Sequence, residues 1–145
     1  METPTIETAI GREFSKKIIP LIDNAKKSIF IMVFEWLWYP DQIGAQIQLF
    51  NSAIVRAKNR GLDIKAVVWD KKISKVLDEL GIKNKWIHQS RLLHVKLMII
   101  DQEIVIIGSH NYTKTAFDLN YEASVILRDP QTAIKFTSFF EGFLY

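Results

Sequence analysis

The chain has 145 residues, 48% of them hydrophobic and 24% charged, with a formal net charge of +3; this reads as one soluble globular domain over residues 1–145, too short for two independently folded catalytic units. It contains no cysteine, which excludes disulfide frameworks, thiolate nucleophiles and thiolate zinc sites. The charge permits a polyanionic partner without demanding one, and the mixed charges through Lys17 argue against a secretory signal, so a cytoplasmic protein without stable membrane association is expected.

From residue 6 to residue 27, apolar side chains at Ile10, Phe14, Ile18, Leu21, Ile22 and Ala25 recur at helical spacing and predict a helix that Pro20 kinks or delays. Residues 28–37 predict a buried strand; the apolar run reaches Tyr39, but Glu35 interrupts it and it is too short to cross a bilayer. A stripe of Ile47, Phe50, Ala53, Ile54 and Ala57 predicts a helix over 42–60, stopped by Gly61. A strand over 62–69, a short helix over 72–80 ahead of Gly81, and a brief strand over 85–88 follow. Two apolar runs, 93–100 and 103–107, flank Asp101-Gln102 and predict a hairpin. A short helix over 112–118, a strand over 120–127 and a terminal helix over 130–143, with proline in its first turn, complete the pattern. Helices and strands alternate early and a hairpin interrupts the second half, so the expected fold is a single α/β domain, a mixed β-sheet flanked by helices on both faces.

The chemistry-bearing residues lie within 93–127. Side chains on a strand alternate faces, so His94 and Lys96 emerge together while Val95 and Leu97 point to the other layer. The ammonium suits a phosphate oxygen, and the imidazole beside it is a base or a nucleophile. The next strand runs into Gly108-Ser109-His110-Asn111 ahead of a short helix, placing a hydroxyl, an amide and unpaired backbone N–H groups at a helix N-terminus attractive to phosphate. On the following strand Asn120, Glu122 and Ser124 share a polar face, and a carboxylate facing a histidine fixes its tautomer and stabilises its cation.

His94, Lys96, Asp101, Gly108, Ser109 and Asn111 fill six fixed positions of one string: His-x-Lys, four residues, Asp, six residues, Gly-Ser-x-Asn. A chance match in a chain this long has odds on the order of one in a million. The string resembles the signature of the phospholipase D superfamily. The single copy, with Ala25-Lys26-Lys27-Ser28-Ile29 leading into the first strand, resembles the small bacterial and archaeal nuclease-like members. The resemblance implies a phospholipase D/nuclease-like fold and a metal-independent phosphodiesterase that needs no cofactor. His94 would attack phosphorus to form a phosphohistidine, a second histidine would protonate the leaving alcohol, and water would then hydrolyse the intermediate. Lys96, Ser109 and Asn111 would hold the non-bridging oxygens, and Glu122 would orient His94. Asp101 and Gly108 are motif residues with a structural role, since an offset of seven from His94 puts Asp101 on the opposite face or in the hairpin turn. One motif supplies one histidine where this chemistry asks for two, so a homodimer is expected, with both His94 side chains at one phosphate.

Outside the motif, His110 reads as a surface or helix-start histidine and His88 as part of a solvated polar loop. Trp36, Trp38 and Tyr39 either stack on bases or pack in a core or dimer contact. Glu35, within the apolar run, reads as a buried carboxylate that needs a partner, so it is expected at an interface, near the active site or paired with a base. Lys71, Lys72, Lys83 and Lys85 are solvated cations or steer a polyanion. The leading functional expectation is an endonuclease acting on DNA or RNA. The alternatives are a phospholipase or phosphatidyl transferase, and a catalytically silent nucleic-acid-binding module.

Overall fold

The computed structural model describes residues 3–145; Met1 and Glu2, part of the opening that reads against a secretory signal, lie outside them. The first half of the chain forms β1 (Thr5–Ile10), α1 (Glu13–Asp23), β2 (Ser28–Val33), α2 (Gln46–Asn59), β3 (Asp63–Val68), α3 (Lys71–Glu79) and β4 (Lys83–Trp86). The second half adds β5 (Lys96–Ile100), β6 (Ile104–Gly108), α4 (Lys114–Asp118), β7 (Ala123–Arg128) and α5 (Pro130–Leu144). The strands make a seven-stranded sheet in the order β1-β7-β6-β5-β2-β3-β4. β2, β3 and β4 run parallel, and every other neighbouring pair is antiparallel.

Helices cover both faces, as the alternating pattern predicts. β2 is buried along its whole length: Ile29, Ile31 and Val33 pack into the layer of α1 to α4, while Phe30 and Met32 pack into the layer of α5. Burial on both sides explains why its sequence is a continuous apolar run rather than an alternation. On the α5 side, Phe30 and Phe140 stack with ring centroids 5.3 Å apart. Among the described residues, no helix is long and apolar enough to cross a membrane.

The expected helix over 6–27 is corrected at its front. Thr5–Ile10 is an edge strand paired antiparallel with β7, and the helix begins only at Glu13, after Gly11 takes a left-handed backbone, φ +55°. Ile6, Ile10 and Phe14 are four residues apart, a spacing that fits a helix and, being even, one face of a strand equally well. Thr5, Ile6, Thr8 and Ile10 are β-branched, and that preference decides. α1 then runs through Pro20, which lies on its exposed side, where the carbonyl deprived of an N–H partner meets water.

The register gathers several strand ends at one edge of the sheet. Lys96 pairs with Val33, Val33 with Val68, and Val68 with Trp86. The start of β5 therefore lies beside the C-terminal ends of β2, β3 and β4, and the end of β6 joins the start of β7 there through the Gly108–Ser124 pair. A buried network fixes the loop leaving β2: Trp36 Nε1 donates to Asn51 Oδ1 (2.8 Å), Asn51 Nδ2 donates to Leu37 O, and the Tyr39 N–H donates to Gln48 Oε1. Trp36 thus belongs to the core, with Trp38 tilted against it.

Candidate active site

His94 lies in the extended segment just before β5, and Lys96 opens that strand. The β2–β5 pairing continues one step beyond the sheet, because the Phe34 N–H donates to the Val95 carbonyl at 3.1 Å. This holds the backbone extended, and His94 and Lys96 share a side. The Lys96 ammonium donates to the His94 carbonyl at 2.9 Å and lies 3.2 Å from each nitrogen of the His94 ring. Phe34 backs the pair, 5.1 Å from the imidazole and 5.8 Å from the ammonium. Burial lowers the Lys96 pKa below the ordinary lysine value, and the charges of Glu122 and Glu35 oppose that shift. The site is therefore a cation flanked by two carboxylates beside an exposed imidazole.

Ser109 and Asn111 sit in the loop between β6 and α4. Ser109 Oγ donates to Glu122 Oε1 at 2.6 Å and accepts the Ala123 N–H at 2.9 Å. Glu122 Oε2 accepts from Asn120 Nδ2 at 3.1 Å. Glu122, expected to orient His94, makes no hydrogen bond to it among the described residues: Ser109 and Asn120 hold the carboxylate, and its charge acts on Lys96. Asn111 Oδ1 accepts the Glu35 N–H at 3.1 Å, which leaves its Nδ2 without a protein partner among the described residues. The expected helix N-terminus is displaced. α4 begins three residues after Asn111, and Thr113 caps it by accepting the Ala116 N–H, so Ser109 and Asn111 act as loop side chains rather than through a helix end.

Asp101 stands at the opposite end of β5, in a turn where it and Gln102 have φ of 54° and 52°, the geometry that matches hairpin twist. Its carboxylate accepts the N–H groups of Lys26, Lys27 and Ser28 at 2.7–3.1 Å. Five residues of strand put it about 16 Å from Lys96. Gly108 touches β7 so closely that a Cβ there would collide with Ser124 and the Ala123 carbonyl.

His110 corrects the surface reading: it is 1% exposed and stacks on Phe14 at 4.3 Å. Nε2 faces the Gly11 carbonyl at 2.9 Å and so carries the proton, and Nδ1 then accepts from Ser124 Oγ at 2.8 Å. Glu35 is exposed and, of its three expected settings, lies at the site: its backbone bonds Asn111 and Tyr112, and its charge reaches Lys96. Phe34 was not singled out by sequence, though its place at the end of a buried run beside the unexplained Glu35 was the available signal. His88 is exposed and stacked on Trp86 at 4.0 Å.

A mixed sheet that presents a His-x-Lys pair at one strand end and a Ser-x-Asn pair at the next defines the phospholipase D class of protein. Residues 18–144 match the family model described as cardiolipin synthase, PLD-like domain, and the chain belongs to this family. It is 29% identical over 128 residues to a cardiolipin synthase of Staphylococcus aureus, covering 81% of this chain and 24% of that one. It is 28% identical over 134 residues to a phospholipase D of Rickettsia bellii, covering 82% and 58%. Among solved structures, the phospholipase D family member Nuc from Salmonella typhimurium is similar with a TM-score of 0.80 at 26% identity, covering 97% of this chain and 94% of that one. The chain thus spans 24% and 58% of the lengths of these two curated relatives and nearly the whole of Nuc.

Proposed function

We propose that the chain is a phosphodiesterase that hydrolyses DNA or RNA as an endonuclease, using two copies of His94 from a homodimer at one phosphate. The observation that carries this reading is the His94–Lys96 pair, locked together at an open sheet edge with the free amide of Asn111 in the neighbouring loop. A ring nitrogen of His94 attacks phosphorus, forming an N–P bond as the P–O bond to the leaving alcohol breaks; the second copy's His94 gives that oxygen its proton. Water, deprotonated by the same second histidine, then breaks the N–P bond and releases a phosphomonoester. Lys96 and Asn111 supply donors to the non-bridging oxygens, where charge stabilisation in a fixed geometry contributes most. Ser109 joins them after rotating from Glu122, or otherwise holds that carboxylate near Lys96.

Two observations support the partner copy. The likeness to Nuc extends over almost all of both chains, so one motif per chain is the unit compared. Leu119 and Tyr121, on either side of Asn120 and next to Glu122, are 74% and fully exposed, apolar area at the rim of the site suited to burial against a second chain. A second reading, a phospholipase or phosphatidyl transferase, is favoured by the cardiolipin synthase and phospholipase D relatives. One experiment separates them: a labelled oligonucleotide panel and phosphatidylglycerol vesicles, each with and without EDTA, with wild type and His94→Ala. Oligonucleotide cleavage that survives EDTA and is lost in His94→Ala supports the nuclease; turnover of vesicles alone supports the lipid reading. A strictly monomeric active enzyme overturns the shared site.

A further inference from the structure

We infer that the cleft between residues 87–95 and α5 is a subsite for one unpaired nucleobase next to the scissile phosphate, which makes single-stranded nucleic acid the substrate; this rests on the nuclease reading of His94. The cleft has a volume of about 310 Å³, and His94 itself lines it, with Leu92, Phe139, Phe143, Gln89 and Arg91. Its position next to the nucleophile is the first argument. Leu93 and Val95, which flank His94 in the chain, line the same cleft, so one of the two substituents of a diester held at His94 can lie against it.

The lining chemistry selects among substituents. Phe139 and Leu92 are 43% and 51% exposed, and Phe139 and Phe143 meet edge to face at 5.3 Å. Such apolar and aromatic surface beside a polar reaction centre provides a stacking face, and every base has a π-face to offer it. Arg91 is exposed and forms no ion pair among the described residues, so its guanidinium can meet a neighbouring phosphate, and the Gln89 amide can meet a base edge. The cleft lies at the lower limit of small-molecule sites: it suits one planar ring, whereas the paired chains of a lipid would overrun it.

A second platform lies where the chain leaves the cleft, toward α3. Past Ile87, the His88 ring is stacked on Trp86, and the Lys71 ammonium lies 5.2 Å from the Trp86 centroid, a cation and aromatic platform of the kind that follows a single strand. A base inside a duplex is stacked and paired, so it reaches the cleft only by being extruded at a cost of a few kcal/mol. An unpaired strand pays nothing comparable.

The test is an end-labelled twelve-residue oligothymidylate with one central abasic nucleotide, its cleavage resolved linkage by linkage. The expected result is that one linkage adjoining the abasic position is cut about tenfold more slowly than in the intact oligomer, while distant linkages keep their rates. Phe139→Ala removes this contrast by slowing the intact linkage to the abasic rate, and Phe139→Trp restores it. Equal cleavage at intact and abasic positions, or equal slowing of all linkages by Phe139→Ala, overturns the base subsite while leaving the nuclease standing. Turnover of phosphatidylglycerol vesicles with no cut oligomer overturns the nuclease reading beneath it.

Discussion

The two ends of β5 carry residues of one sequence string under opposite physical conditions. At the start of the strand, Lys96 has a lowered pKa, one carbonyl partner and an exposed imidazole beside it, so its charge is not used up by the fold. At the other end, the Asp101 carboxylate is saturated by three backbone N–H groups and holds the entrance of β2. Since β2 delivers Phe34 and Glu35 to the site, the structural end sets the geometry at the open end. A motif can thus combine groups left free to react with groups tied down to hold them.

Removing the imidazole strikes the open end alone. His94→Ala is expected to lower phosphodiesterase activity by at least about a thousandfold and to change unfolding free energy by less than about 0.5 kcal/mol, because the side chain is exposed. A variant that kept activity would erase the contrast between the two ends. At the tied end, Asp101→Ala strips the acceptor from three N–H groups and puts a Cβ without hydrogen-bonding ability at φ 54°. It should cost about 3 kcal/mol in urea unfolding. Asp101→Asn, which tolerates that backbone and keeps one acceptor, should cost about 1 kcal/mol. If Asp101→Asn matched His94→Ala in activity while leaving stability unchanged, the structural role would be wrong. Between the two lies Gly108→Ala, which forces β6 away from Ser124 and should cost about 2 kcal/mol, with part of the activity lost because Ser109 moves with it.

The buried strands β2, β3, β5 and β6 were legible because burial on both faces writes itself as apolar runs with turn residues between them. β1 was not legible: as an edge strand it buries only Ala9, so packing leaves little signal, and four-residue spacing fits two periods. His94 and Lys96 were readable as a pair because alternation needs only the chain's local geometry. The partner of Glu122 was not, because Ser109 reaches its Oε1 only through the β6–β7 register, which no local pattern contains. His110 misled for a related reason: a polar residue between two loop positions looks solvated until β7 brings Ser124, and the β1–α1 turn brings the Gly11 carbonyl, to its two nitrogens.

That buried ring gives the smallest effect and the one most specific to how the site is held. Burial lowers the His110 pKa below the ordinary histidine value, against the Gly11 hydrogen bond and the Glu122 charge, which raise it. Folding thus favours the neutral ring, while the unfolded chain takes up a proton near pH 6.5. The stability this contributes is complete above that value and is lost as pH falls from there through the folded pKa, because burial penalises the charged ring. His110→Gln does not titrate, so it should be less stable than wild type at pH 8 but should show a flatter decline between pH 7 and pH 5 in urea unfolding. Parallel declines for the two proteins would mean that the acid-sensitive groups lie elsewhere, and that the support behind Ser109 and Asn111 does not depend on the charge of His110.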